Sequence, residues 1–94
     1  MRLDEQQIQS RLSELDAWQL SKHTCIWRDF SFADFHLTMA FVNAVADIAH
    51  AENHHPQLEV GYNHCLVKYT THSFGGLSEK DFICAKRIDA LNPV

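Results

Sequence analysis

The sequence predicts an α+β fold of two layers, a four-stranded antiparallel sheet with three helices on one face, in the order αββαββα. Two pairs of short segments rich in β-branched and aromatic residues, each pair closed by a tight connection, predict two hairpins. Three segments that begin at a capping residue and carry apolar side chains at helical spacing predict the helices. Hairpins with helices packed on one face bury both sets of apolar residues in a single core. The length of 94 residues leaves room for one such core, so residues 1–94 are expected to form one domain. With 46% hydrophobic and 21% charged residues, and only three glycines and two prolines, the chain has the makeup of a folded globule and not of a disordered one.

In chain order, Asp4 is placed to cap a helix over residues 4–15, with Ile8, Leu12 and Leu15 on one face. Trp18-Gln19-Leu20 and Thr24 to Phe30 form the first hairpin, separated by Ser21-Lys22-His23. Ser31 is expected to cap the long helix, with Asp34 completing a capping box and Phe30 and Phe35 forming a hydrophobic staple. At about 100° per residue, Phe35, Met39, Val42, Ala46 and Ala49 line one stripe of that helix. Leu37, Phe41, Ala44, Val45 and Ile48 line a second, about 140° away. The polar strip of His36, Asn43, Asp47 and His50 is narrow. A helix so apolar in so small a chain is expected to pack on its own sheet with one stripe and on another subunit with the other, giving a homodimer or homotetramer through residues 31–53 and the sheet edges. Pro56 disfavours helix at His55, so the helix ends by Asn53 or His54. Leu58, Val60 and Tyr62 alternate as a strand, Tyr62-Asn63-His64 turns, and Cys65 to His72 returns. In that strand Leu66, Lys68, Thr70 and His72 face one way and Cys65, Val67, Tyr69 and Thr71 the other. Gly75-Gly76 permits a reversal, Ser78 and Asp81 form a capping box, and Cys84, Ala85, Ile88 and Leu91 give the last helix its apolar side before Pro93 stops it.

A formal charge of −4 and the absence of a Lys/Arg cluster argue against direct binding to nucleic acid or to an anionic membrane surface. Three cysteines, Cys25, Cys65 and Cys84, without C-x-x-C spacing, read as reduced core thiols. No apolar run approaches the roughly 20 residues of a membrane span, and the first residues do not read as a signal peptide. A cytoplasmic protein is expected.

Chemistry concentrates between His50 and Asp81. Imidazole titrates near neutrality, so grouped histidines serve either metal binding or proton transfer. For metal, His50 and His54 have the i, i+4 spacing of a helix-face pair, with His72 as a third ligand, but a zincin-type H-E-x-x-H would need Glu where Ala51 stands. For acid/base work, His54 and His55 at a helix end, His72 at a strand end and Asp81 in the first turn of the next helix all lie at element termini, where sites are commonly built.

The pattern H-x-x-x-H-H-P from His50 to Pro56, then Tyr62-Asn63, Thr71-His72 and Gly76-Leu77-Ser78-Glu79-Lys80-Asp81, resembles the signature of the pterin-4a-carbinolamine dehydratases, and Phe35 to Phe41 resembles the helix that follows that family's aromatic strand. The resemblance implies a hydro-lyase that removes water from 4a-hydroxytetrahydropterin to give quinonoid dihydropterin, in recycling of a pterin cofactor, with no metal or organic cofactor of its own. It implies His54, His55, His72 and Asp81 as the catalytic set, with His54 and His72 as acid and base, His55 holding the pterin or its hydroxyl, and Asp81 fixing a histidine tautomer or its charge. His55, Pro56, Thr71 and Ser73 are the implied substrate-binding residues. Two positions depart from the family: His50 stands where many members carry a carboxylate, and Leu58 where some carry a tryptophan. In animals, members of that family also bind a homeodomain transcription factor, which makes an interaction module the alternative; a related enzyme of molybdopterin metabolism is another.

Overall fold

The computed structural model describes residues 1–92. Its elements are α1 (Glu5–Leu12), β1 (Gln19–Ser21), β2 (Cys25–Ser31), α2 (Phe35–Glu52), β3 (Gln57–Val60), β4 (His64–Tyr69), a 3-10 turn (His72–Phe74) and α3 (Glu79–Asp89). The strands form one antiparallel sheet in the order β1-β2-β4-β3. The αββαββα order and the α+β class are those the sequence predicts.

Register explains the two-layer packing. Ile26 pairs with Tyr69, Arg28 with Val67 and Phe30 with Cys65, so alternate residues of β2 and β4 share one face. Cys65, Val67 and Tyr69 are fully buried on it. They meet Phe41, Val45 and Ile48 of α2 and Phe82, Cys84, Ala85 and Ile88 of α3 in a core that Leu3, Ile8 and Trp18 complete. The other face carries Trp27, Asp29, Leu66, Lys68, Gln57 and Glu59, and among the described residues no helix lies over it.

Several boundaries and faces differ from expectation. Ser31 does not cap the long helix: it pairs with His64 as the last residue of β2, and Phe32 N–H continues to Asn63 O. The cap is Asp34, whose carboxylate accepts from Leu37 N–H at 2.9 Å. Phe30 is consequently not a staple for Phe35. Its ring packs on Trp18 and Phe41, 6.1 and 4.6 Å between centroids, while Phe35 stacks on Tyr62. The hydrogen-bond ladder of β2 thus outcompetes the local capping pattern.

The two stripes of α2 are not two separate faces. Its buried residues, Thr38, Phe41, Val45, Ile48 and Ala49, form one face centred between the stripes, so that Phe41 and Val45 belong to the core and not to an external surface. The large apolar side chains left exposed on α2 are Phe35 and Leu37, near its start. α1 stops at Leu12, three residues before the expected end, and Leu15 packs on the core from the following turn. β4 stops at Tyr69, because Thr71 bridges to Gly76 around the 3-10 turn, which puts His72 in that turn. At the far end, Leu91 lies past the helix and is exposed, and Pro93, the expected stop, falls outside the described residues.

The position of these side chains sets their stability effects. Phe41→Ala is expected to lower the unfolding free energy by about 3–5 kcal/mol, the range for emptying a buried aromatic site. Leu37→Ala, from the same apolar run, is expected to cost less than about 1 kcal/mol. Urea denaturation of the two variants checks the assignment of faces.

Candidate active site

The site begins where α2 ends. Asn53, at the C-terminal cap of α2, is left-handed, φ 51° and ψ 44°, a conformation that asparagine tolerates better than most residues. His54 N–H returns to Ala49 O at 3.0 Å and Asn53 N–H to His50 O at 3.2 Å, the hydrogen-bond pair of a Schellman turn. Pro56 then keeps His55 extended. As a result His54 and His55 diverge: the His54 side chain is 14% exposed, and His55 is exposed. His50 is not carried along with His54. Its ring meets that of His55 edge-on, 5.7 Å between centroids, so the helix-face pair that the spacing suggested does not form.

His54 turns toward α3. Its Nε2 lies 2.6 Å from Asp81 Oδ1, and Asp81 is fully buried. The second carboxylate oxygen accepts from Ser78 N–H at 2.9 Å and from Thr71 Oγ1 at 2.8 Å, so the pairing of Ser78 and Asp81 that opens α3 is also what positions the carboxylate. Thr71 has one hydroxyl proton and gives it to Asp81. The 2.7 Å contact between Thr71 and Ser78 hydroxyls must then be a donation from Ser78. With Nε2 donating to Asp81, neutral His54 presents a lone pair at Nδ1.

Tyr69 supports the imidazole from below. The two rings stack with centroids 5.2 Å apart and planes 17° from parallel, and the phenol hydroxyl donates to His54 O at 3.3 Å. Burial, with the Cys84 thiol alongside, pushes the Tyr69 hydroxyl far above the usual range, so it remains a donor.

On the open face of the sheet, next to this buried network, His55, Pro56, Gln57, Lys68, Thr70 and His72 line a cleft of about 330 Å³. That is near the lower end of the about 300–1,000 Å³ typical of small-molecule sites. Of the sequence-derived candidates, His54, Asp81 and Thr71 therefore come together inside, and His55, Pro56 and His72 come together on the cleft. Thr71 points into the network, and Ser73 is exposed on the 3-10 turn and does not line this cleft. Sequence reasoning passed over Tyr69, Lys68 and Thr70 as site residues. The period of two along β4 carries the signal, since it puts Tyr69 on Thr71's side and Lys68 and Thr70 on that of His72. Leu58 packs against the core, so its departure from tryptophan leaves this cleft's lining unchanged. Among the described residues no three His, Cys, Asp or Glu side chains gather closely enough to hold a metal ion, and no helix is long and apolar enough to cross a membrane.

A two-layer α+β domain with paired histidines at a helix end, backed by a buried carboxylate from the next helix, defines the class. Residues 1–91 match the family model described as pterin 4 alpha carbinolamine dehydratase, and the chain belongs to that family. A Nitrosospira multiformis protein provisionally named pterin-4-alpha-carbinolamine dehydratase is 54% identical over 89 residues, covering 95% of this chain and 78% of the relative. A Nitrosomonas eutropha protein named in the same way is 52% identical over 90 residues, covering 95% and 79%. Among solved structures, a transcriptional coactivator/pterin dehydratase from Brucella melitensis is similar with a TM-score of 0.91 at 34% identity, over 97% of this chain and 98% of that one.

Two outcomes follow from the network. Asp81→Ala strands three donors at a buried site and is expected to cost about 3 kcal/mol in urea denaturation, more than the loss of a single neutral hydrogen bond. Burial also raises the Cys65 thiol from its ordinary 9.0 to about 11. Folded and unfolded chains both hold this proton below pH 9. Above it the unfolded chain ionises first, so stability is expected to decline from about pH 9 to about pH 11, and Cys65→Ala to show a shallower decline in the same titration.

Proposed function

We propose that this chain is a hydro-lyase that dehydrates 4a-hydroxytetrahydropterin to quinonoid dihydropterin. The observation that carries the reading is the Asp81–His54 pair beside a cleft edged by His55 and His72, in a chain of the pterin carbinolamine dehydratase family. The reaction asks for removal of the N5 proton and delivery of a proton to the 4a hydroxyl, which leaves as water while the C4a=N5 bond forms. His54 suits the base, because Asp81 fixes its Nε2 as the donor and so frees Nδ1. His72, in protonated form, suits the acid. His55 and Pro56 hold the pterin, and Thr71 acts through Asp81 as a positioning residue. Ser73, on the 3-10 turn next to His72, would meet the substrate only from outside the cleft lining, and the protein works in the cytoplasm without a cofactor of its own.

The purified protein is expected to accelerate decay of the 4a-carbinolamine absorbance when added to a phenylalanine hydroxylase reaction. His54→Ala and His72→Ala are each expected to lower that acceleration by about 10²–10⁴-fold, the usual worth of a general acid or base. A wild-type protein that leaves the decay unchanged defeats the reading.

Self-association belongs to the same proposal. Phe35 and Tyr62 stack 6.5 Å apart at the start of α2, and with Leu37 and Val60 they leave apolar surface exposed beside the β3 edge. A homodimer or homotetramer closing over this patch is expected in light scattering at micromolar concentration, and Leu37→Asp is expected to shift it toward monomer. A monomeric wild type contradicts this part of the proposal.

A further inference from the structure

The histidine cleft does not end at the histidines. A second cleft of about 320 Å³, lined by Thr24, Cys25, Gln57, Lys68, Thr70, His72 and Gly75, shares Gln57, Lys68, Thr70 and His72 with the first. The two form one groove along the open face of the sheet, running from His55 and Pro56 to the β1–β2 turn at Thr24 and to Gly75. Lys68 stands where they join.

The charge of that groove is opposite to that of the protein. The chain carries −4 overall, yet neither cleft has an acidic residue in its lining, and Lys68 is the one Lys or Arg in both. Arg28, Lys86, Arg87 and Arg11 each reach a carboxylate: Asp89, Glu14, Glu52 and Glu79 respectively. Lys68 reaches none among the described residues. Its cross-strand neighbours are the neutral Trp27 and Gln57. Asp29 and Glu59 lie two pairs further along the sheet, away from the groove, and Asp29 is already engaged by His64 at 3.1 Å.

A neutral pterin ring offers acceptors to the Lys68 ammonium but no charge to match it. We propose that Lys68 is a specificity-determining residue that receives an anionic group, phosphate or carboxylate, on the side chain of the pterin substrate, an assignment that rests on the dehydratase reading of the histidines. The ring lies at the His55 end, and its substituent runs past Lys68 toward Thr24 and Gly75. Thr70 cannot take this part with its hydroxyl, which is committed to Thr24 O. Pterins that carry a negative charge beyond the bicycle are thereby favoured over neutral ones, which the histidine end of the groove still accepts.

Binding separates the two levels of the proposal, because it does not depend on turnover. Three probes are titrated by isothermal calorimetry: 6-methyl-7,8-dihydropterin, 6-hydroxymethyl-7,8-dihydropterin diphosphate and 7,8-dihydrofolate. Wild-type protein is expected to bind at least one anionic probe about 10-fold more tightly than the neutral one at low salt, with the preference shrinking as salt is added. In Lys68→Met that ratio is expected to fall to about one, and in Lys68→Arg to return. Which anionic probe shows the preference distinguishes phosphate from carboxylate. Equal wild-type affinity for all three, or a preference that survives Lys68→Met, overturns the role of Lys68 and leaves the dehydratase reading standing. Failure of wild-type protein to bind any of the three overturns both.

Discussion

Asp81 is a carboxylate with no exposed surface, and a charge taken out of water is tolerated only when donors converge on it. Its donors come from three places in the chain: Ser78 at the start of its own helix, Thr71 just beyond β4, and His54 just beyond α2. The carboxylate therefore fastens the end of one helix, the end of one strand and the beginning of another helix at a single point. The requirement that it be satisfied and the requirement that His54 be held in one orientation are met by the same bonds. Structural and chemical demands coincide here, which is why this point is well ordered by packing as well as by hydrogen bonding: Tyr69 fills the space beneath the imidazole, and Cys84 fills the space beside Tyr69.

Around that point the sheet separates two environments. One face is dry and holds the core, with Cys65, Val67 and Tyr69 against the helices. The other is open, and the same strand presents Lys68 and Thr70 there. β4 thus supplies the support of the site from its inner residues and the floor of the cleft from its outer ones. Because side chains alternate along a strand, one residue's shift in register would exchange the two sets and destroy both. Pairing of β4 with β2 on one side and β3 on the other fixes that register.

The fold was legible because each element announced itself locally. The Asp4 cap, the Ser78–Asp81 capping box and the Pro56 stop act over a few residues and operate as read, and both hairpins form, the second with shorter strands than read and with His64 in β4 instead of in the turn. Ser31 shows where such reading fails. Its capping pattern was sound, but the β2 ladder continued through it to His64, and ladder partners are not encoded nearby. The stripes of α2 fail for a related reason. Periodicity says that Phe35, Leu37, Phe41 and Val45 are apolar, while the position of the sheet decides that Phe41 and Val45 are covered and Phe35 and Leu37 are not.

By itself the sequence determined which residues are candidates for the chemistry and where the chain turns: His54-His55-Pro56, Thr71-His72 and Ser78 to Asp81, each at an element's end. These are properties of residue type and local spacing. Tertiary structure alone decided that the adjacent His54 and His55 part company, one inward onto Asp81 and one outward onto the cleft, and that His50, four residues before His54, joins His55 and not His54. The left-handed turn at Asn53 and the buried carboxylate 27 residues beyond His54 make that choice. A contact over such a distance depends on the sheet that brings α2 and α3 together, and no local pattern records it.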